Sequence, residues 1–550
     1  RPMTTAETAA PEPPPALTEE QQRAYDQLAP NLEDHAPHAA LLYGVTGSGK
    51  TLVFLQLIRR TLELGRQALI LVPEISLTPQ MIRRLKDTFG TRVAVQHSAL
   101  SNTERLVQWQ MIQQGGADIV VGTRSAIFAP LQNLGLIILD EEQEHSYKSE
   151  NAPRYAAKEV AIWRGFKEKA LVLLGSATPS VESMYRAKQG EYDLYRLKTR
   201  FNGRALPDVE VVDMREELKL GNGYSLSIPL RQAIHDTCAA GKQTILLLNR
   251  RGNARALVCV DCREAPECPR CSARLTYHSA NNRLMCHYCG FSQPVPQRCP
   301  KCGGPLKTLG VGTQKAQQEL NELFPDVTVA RMDADTVSAA NPHEVILDRF
   351  RRGEEQVLLG TQMVAKGLDL PNVTLVGALD ADLSLYSGSF RAAETTFNML
   401  TQVVGRAGRG DCEGRALIQT LTPNNAIIQL AAKQDYDSFY ELEIGLRRVQ
   451  DLPPFGDQIL VAFQGEQEQQ VLLGAMKFRD SLLELQRSWA LGPLTVLGPA
   501  PSPVPKVNYR YRYRLTVLGK MTKELRSGLS YLLRSFGKDS KMRGVTAFID

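Results

Sequence analysis

Residues 39–65 read AALLYGVTGSGKTLVFLQLIRRTLELG, and this stretch decides the fold. The uncharged run 39–43 has the length of a buried strand, and 50–64 has the apolar spacing of an amphipathic helix. Between them stand Gly44, Val45, Thr46, Gly47, Ser48, Gly49, Lys50 and Thr51, which match the pattern G-x-x-x-x-G-K-[ST]. A loop of this kind between strand and helix turns backbone N–H groups and a helix N-terminus toward phosphates. Lys50 is then placed to reach the β- and γ-phosphates of a nucleotide, and Thr51 to hold Mg²⁺. A glycine-rich turn that merely reversed the chain would need neither.

Outward from this loop, short apolar runs alternate with amphipathic stretches. Strands are expected at 68–72, 92–96, 118–121, 134–140 and 170–175, with helices at 78–89 and 102–114. Such alternation predicts an α/β fold with a doubly wound parallel sheet. A second series starts at 244–249, is interrupted by cysteines, and resumes at 306–310, 327–332, 356–360, 373–379 and 414–419. We therefore expect a linker at 1–16, a first lobe at 17–203, and a second lobe at 204–258 and 304–446. A cysteine-rich insert fills 259–303, and LPPFG and PAPSPVP punctuate a small α+β domain at 447–550.

The acid that partners such a loop belongs at the end of a later strand. LGLIILDEEQ supplies it, with Asp140 as the expected Mg²⁺ partner and Glu141 as the carboxylate that orients or deprotonates the attacking water. GSATPS follows another strand, and its Ser176 and Thr178 are hydroxyls suited to relay between the acids and another element. Upstream, Gln21 in LTEEQ sits where an amide could read an adenine edge, which favours ATP. QVVGRAGR begins at Gln402 and carries Arg406 and Arg409, three residues apart and expected on one face of a helix turn. Their forked, permanently charged groups suit transferring phosphates. Because cradle and arginines fall on different lobes, turnover is expected to couple to opening and closing of a cleft, as in a motor.

A motor needs a track, and a polyanion fits the charge pattern. The net charge is +6, but residues 503–544 hold eleven Lys/Arg against two acids, a local +9 that leaves −3 for the rest. Thr123, Arg124, Gln362 and Lys366 suit strand phosphates. His145, Tyr147 and Tyr155, in EHSYKSENAPRY, could stack on bases. With 43% hydrophobic and 23% charged residues the composition is that of a soluble globular protein. No apolar run approaches the roughly 20 residues needed to cross a bilayer, so no membrane partner is expected. The chain opens on Arg1 with no signal-peptide pattern, which suggests a fragment of a longer cytoplasmic protein.

Eight of the ten cysteines lie in residues 259–302 as four CxxC pairs: Cys259/Cys262, Cys268/Cys271, Cys286/Cys289 and Cys299/Cys302. Four thiolates complete one tetrahedral zinc shell, so eight predict two Zn²⁺. Disulfide-dense domains are usually small and secreted, unlike this chain. Only five residues separate Cys262 from Cys268, whereas fourteen separate Cys271 from Cys286. These spacers suggest a nested arrangement, with the inner two pairs on one ion and the outer two on the other.

Taken together, these motifs resemble superfamily 2 helicases, and within them the PriA family of replication-restart helicases (primosomal protein N′). VPEISLTPQ, VGTRSAIFAP, DEEQEHSYK, NRRGN, GVGTQK, GTQMVAKG and GPAPSPV/YRYR carry the likeness alongside the motifs already quoted. The resemblance implies two RecA-like lobes, ATP with Mg²⁺, and 3′-to-5′ unwinding of DNA at stalled or abandoned replication forks. It also implies primosome assembly, with branched and single-stranded DNA, helicase-loading proteins and single-stranded DNA-binding protein as partners of a monomeric, nucleoid-associated enzyme. Gly367 joins the nucleotide-site residues, and Tyr147 and Lys148 join the DNA-sensing ones. Gln143 stands where the family often has His, and Gln314 where it often has Glu. The family's N-terminal 3′-end-binding and winged-helix domains are not in this sequence, and Asp550 looks like a clipped end. Two other functions fit some of the pattern: a duplex translocase that remodels nucleoprotein without unwinding, and a zinc-stabilised scaffold with a degenerate ATPase. The intact Lys50, Asp140, Glu141 and Arg409 speak against the scaffold.

Overall fold

The computed structural model describes residues 16–549 apart from 74–78, 99, 150–152, 202, 204–205, 249–254, 263, 270–274, 279–281, 287–288, 309–312, 333–341, 362–369, 388, 409–411 and 490. The chain divides into two compact units, one reaching Leu206 and the other starting at Pro207.

The first unit is built on seven strands: β1 (His38–Gly44), β2 (Gln67–Leu71), β3 (Val93–Gln96), β4 (Ile119–Gly122), β5 (Leu134–Asp140), β6 (Leu171–Ser176) and β7 (Asp193–Leu197). They form one parallel sheet in the order β3-β4-β2-β5-β6-β1-β7. Every residue of β4 and β6 is buried, as is β5 up to Asp140. Continuous apolar strands of this kind require helices on both faces. The helix Lys50–Glu63 supplies Val53, Phe54, Leu57 and Ile58 to the core. Gly175 lies against Phe54, whose ring tip is 2.5 Å from where a Cβ would stand. Two helices begin on capping boxes, Thr18 with Gln21 and Ser101 with Glu104, which satisfy orphan N–H groups in a way visible in the sequence. The expected strands all form, with ends shifted by a residue or two. β7 is an addition to them: DLYRL is a half-polar edge strand without an apolar run.

The second unit holds fifteen strands among the described residues. They are β8 (Asp208–Asp213), β9 (Gln243–Leu248), β10 (Arg255–Cys259), β11 (Thr276–His278), β12 (Arg283–Met285), β13 (Ser292–Pro294) and β14 (Leu306–Thr308). Next come β15 (Val329–Met332), β16 (Val357–Gly360), β17 (Val373–Leu379), β18 (Arg415–Thr420), β19 (Asp457–Gly465), β20 (Thr495–Val507), β21 (Arg510–Gly519) and β22 (Val545–Ile549). A six-stranded parallel sheet runs β15-β16-β9-β17-β18-β8. The insert is a five-stranded antiparallel sheet, β13-β12-β11-β10-β14. The last four strands form an antiparallel sheet, β20-β21-β19-β22, whose core takes helices Glu468–Ser488 and Lys523–Lys538.

One expectation is corrected here. Residues 306–310 do not continue the parallel series; β14 pairs with β10 and closes the insert. Three residues, Leu306–Thr308, are too short to fill a place in a sheet whose strands run four to seven residues, and the antiparallel partner lies across the metal loops. β8, flanked by acids at both ends, is a further strand that the apolar runs do not reveal.

Buried polar groups fix the second unit internally. Asp382, after β17, accepts from the hydroxyls of Thr420 and Thr422 and from Leu421 N, tying the end of β18; burial raises its pKa against these hydrogen bonds. Arg447, 1% exposed, donates to Glu443 Oε1 and Glu394 Oε2, each at 2.8 Å. It joins helix Tyr436–Val449 to helix Ala392–Val404. Losing one partner from a buried ionic cluster leaves uncompensated charge and costs about 3–5 kcal/mol. Arg447→Leu is expected to destabilise this unit by that amount in urea unfolding, and Arg447→Lys by less.

Candidate nucleotide site and metal centre

The 44–51 loop makes one backbone bond of its own, Ser48 N to Val45 O at 2.9 Å, and is otherwise shaped by glycines and by neighbouring elements. Gly47 and Gly49 adopt left-handed backbone (φ 83° and 74°), and no side chain caps the helix that starts at Lys50. A Cβ on Gly49 would lie 2.4 Å from Gln21 Nε2, so the position excludes a side chain on two counts. Gln21 is the strut on one flank: its Nε2 donates to Ser48 O at 2.8 Å and its Oε1 accepts from Thr18 N at 2.9 Å. Beside it, Val45 N donates to Leu197 O and Phe201 N to Gly47 O. Thr46 Oγ1 and Ser48 Oγ are buried without a hydrogen-bond partner, and Lys50 Nζ donates to Gly44 O at 2.9 Å. A buried hydroxyl without a partner is costly unless a ligand completes it. This donor set fits a nucleotide's phosphates.

The acids stand at the end of β5, which β6 alone separates from β1 in the sheet. Burial and the Glu141 charge raise the Asp140 carboxyl to about 7, against the pull of Lys50. Lys50 and Asp140 therefore feel each other in the folded lobe. Glu141 sits at φ 48°, a left-handed conformation that L residues adopt at a cost. Its carboxylate is held by Gln143 Nε2 at 2.7 Å; Gln143 Oε1 accepts from Ser176 Oγ at 2.6 Å, and Ser176 Oγ accepts from Thr178 N at 2.9 Å. An unbroken hydrogen-bond chain thus links the acid loop to the GSATPS loop. Beneath it, Glu142 is buried and accepts from Ser180 N, Ser180 Oγ, Ser183 Oγ and Lys158 Nζ. Burial works against the charge of Lys158, but Glu142 and Glu182 outweigh it and raise its pKa. No motif marks Lys158, which lies on a helix further along the chain.

In the insert, the sulfurs of Cys259, Cys262, Cys299 and Cys302 all lie within 4.8 Å of one another, and those of Cys268, Cys286 and Cys289 form a second group. Cys259 and Cys302 are 3.4 Å apart, and Cys268 and Cys289 3.5 Å, too far for disulfides at about 2.05 Å. Four sulfurs each about 2.3 Å from one zinc would stand about 3.8 Å apart, so the clusters suit that metal. Burial would raise the Cys299 thiol, but backbone N–H groups of Cys302 and Lys301 bring it to about 7; Cys262 is pushed up to about 12, chiefly by burial. The outer and inner pairs separate in the nested order that the spacers suggest. Cys271 lies outside the described residues.

Four family models match in sequence along the chain. They are DEAD/DEAH box helicase (18–187), PriA DNA helicase Cys-rich region (268–294), helicase conserved C-terminal domain (310–411) and primosomal protein N C-terminal domain (448–550). The replication restart protein PriA of Rickettsia felis is 38% identical over 462 residues, 83% of this chain and 70% of that protein. The chain belongs to the PriA family. Its likeness to PriA of Bacillus subtilis is 45% identity over 538 residues, 98% of this chain and 66% of that protein. For PriA of Synechocystis the identity is 43% over 497 residues, 88% of this chain and 59% of that protein. The chain thus spans less than two thirds of the length of these last two PriA relatives.

Set beside the PriA-family expectations, several residues fall differently. Gln21 bonds within the chain at both ends of its amide, so in this structure it supports the loop. Tyr147 is turned inward, 3% exposed, with its hydroxyl 2.9 Å from Leu71 O and 2.7 Å from Asp140 O. It pins the ends of β2 and β5 and offers no ring face for stacking. Lys148 remains exposed beside it. Thr123 is buried, and its N–H donates to Gln96 O. Arg124 donates from Nη1 to Ser146 O (3.0 Å) and Lys148 O (2.7 Å), bracing the loop after the acids. Tyr155 packs edge-on against Phe128 at 4.8 Å. In the second unit, helix Ala392–Val404 carries buried Gln402 and ends before Arg406, which lies in the following turn. Gly408, in that turn, adopts left-handed backbone (φ 67°). Arg409, Gly367, Gln362 and Lys366 lie outside the described residues, and no described helix is long and apolar enough to cross a membrane.

Tyr147→Phe removes the one buried hydroxyl proton shared between the Leu71 and Asp140 carbonyls. The expected cost is about 1–3 kcal/mol, read as a lower urea midpoint for the first unit.

Proposed function

We propose that this chain is the ATP-hydrolysing motor of a DNA helicase that acts in replication restart. The observation that carries this is the convergence, inside one lobe, of an open phosphate loop with the Asp140–Glu141 carboxylates, joined through Gln143 to the GSATPS loop. In this reading the 44–51 backbone and Lys50 bind the phosphates, and Thr51 and Asp140 hold Mg²⁺, which offsets phosphate charge when bound. Glu141, oriented by Gln143, positions the attacking water. Arg406 and Arg409 stabilise charge on the transferred phosphoryl group, with Gln402 and Gly367 in support. The Glu141–Gln143–Ser176 chain offers a route by which a change at the acids alters the neighbouring loop, the property a motor needs.

Membership of the PriA family supports the rest: 3′-to-5′ unwinding of branched DNA, and assembly of a primosome with helicase-loading proteins and single-stranded DNA-binding protein. Arg124, Lys148, Thr123, Gln362 and Lys366 are the proposed DNA contacts, joined by the basic C-terminal segment. The eight cysteines are proposed to hold two structural Zn²⁺ in the nested pairing.

ATP hydrolysis measured with no DNA, single-stranded DNA and forked DNA tests the function directly, and stimulation by DNA is expected. Lys50→Ala is expected to abolish turnover while DNA affinity stays within about twofold, since its charge serves phosphates and not the track. Equal loss of both would show that the lysine supports folding instead. Metal analysis is expected to find two zinc ions per chain, and one in Cys286→Ala. Two ions retained in that variant would break the inner assignment.

A further inference from the structure

The segment that leaves β7 runs back along the phosphate loop, and no motif drew attention to it. Val45 N donates to Leu197 O at 3.1 Å and Phe201 N to Gly47 O at 2.9 Å, so 197–201 is clasped to 45–47 at both ends. From outside, one carboxylate oxygen of Glu20 accepts from Lys198 N (2.9 Å), Thr199 N (3.1 Å) and Thr199 Oγ1 (3.0 Å). Five hydrogen bonds therefore fix where the next two side chains stand. The stem of Arg200 is 3.8 Å from where a Gly47 Cβ would be, and the Phe201 ring is 3.5 Å from the equivalent point at Gly49.

The two side chains differ in exposure. Arg200 is 7% exposed, while Phe201 is 45% exposed. Phe201 therefore leaves much of a large apolar ring in water at a rigidly specified place beside the loop's last glycine. Its backbone N–H alone makes the clasp, so holding the loop does not explain the ring. Gln21, bonded to Ser48 O and Thr18 N, has no aromatic face to offer. A nucleotide whose phosphates sit in such a loop extends outward from it as a sugar and a planar base. A flat, exposed, preorganised aromatic ring is the surface on which such a base stacks.

We propose that Phe201 is the stacking platform for the base of the nucleotide whose phosphates occupy residues 44–51. The proposal rests on the nucleotide reading of that loop, and assigns to Phe201 the stacking of a base whose edge sequence placed with Gln21. Two ligands separate this role from a structural one: ADP, which carries a base, and inorganic pyrophosphate, which does not.

Binding of both is measured by titration calorimetry with the whole chain, as wild type, Phe201→Ala and Phe201→Trp. Stacking on an aromatic ring predicts that Phe201→Ala weakens ADP by about tenfold. Pyrophosphate should change by less than about twofold, because every backbone hydrogen bond survives the substitution. Phe201→Trp should restore ADP affinity. Equal loss for ADP and pyrophosphate would show that the ring shapes the loop, and unchanged ADP affinity would show that no base reaches it; either overturns the proposal while leaving the phosphate site standing. If the wild type binds neither ligand, the nucleotide reading itself falls, and the stacking role with it.

Discussion

A loop that binds phosphate has to keep its N–H groups unpaired, and unpaired backbone does not stay folded by itself. The rest of the first lobe is arranged around that constraint. Gln21 reaches in from a capped helix, the segment after β7 is stitched alongside, and two left-handed glycines shape the loop they support. Neither support belongs to the loop's own sequence. Both come from elements over twenty residues away, so the site exists only once the lobe has closed around it.

The acid loop meets a similar difficulty by different means. Glu141 is forced into a conformation that residues other than glycine avoid, directly after a buried strand. The cost is met by over-determination: Glu142 is anchored beneath by Lys158 and two serines, Tyr147 pins the strand ends, and Gln143 holds the carboxylate itself. Strain that persists because its surroundings leave no alternative is common where side chains act on a ligand. Within the loop the residues divide the labour by facing, with Glu141 and Gln143 outward and Glu142 inward.

Much of this was legible in the sequence wherever local chemistry dictates structure. Apolar runs gave the buried strands, GSGKT gave the strand–loop–helix, and CxxC spacers of five and fourteen residues gave the nested sulfur groups. The parts that were not legible depend on distant partners. DLYRL hides an edge strand because an edge needs only one buried face. LKT looks like the next parallel strand until β10 claims it. Tyr147 reads as a stacking aromatic in a polar loop, yet two carbonyls on neighbouring strands draw it inside. Lys158 has no signature at all, since a lysine on an amphipathic helix is ordinarily solvated.

The pairing of β10 with β14 brings the two ends of the insert together. Leu257 stands opposite Thr308, so the strands that enter and leave are neighbours, separated by about the 4.8 Å of adjacent strands. Cys259, at the end of the entering strand, shares its sulfur cluster with Cys302, just before the leaving one. What lies between is braced as well as joined: Ala265 packs with Tyr386 and Leu421, and Gly290 lies against Pro499 and Ala500. The host sheet therefore meets the insert as a loop whose two ends are adjacent, so a change of length in its outer strands need not alter the spacing of those ends.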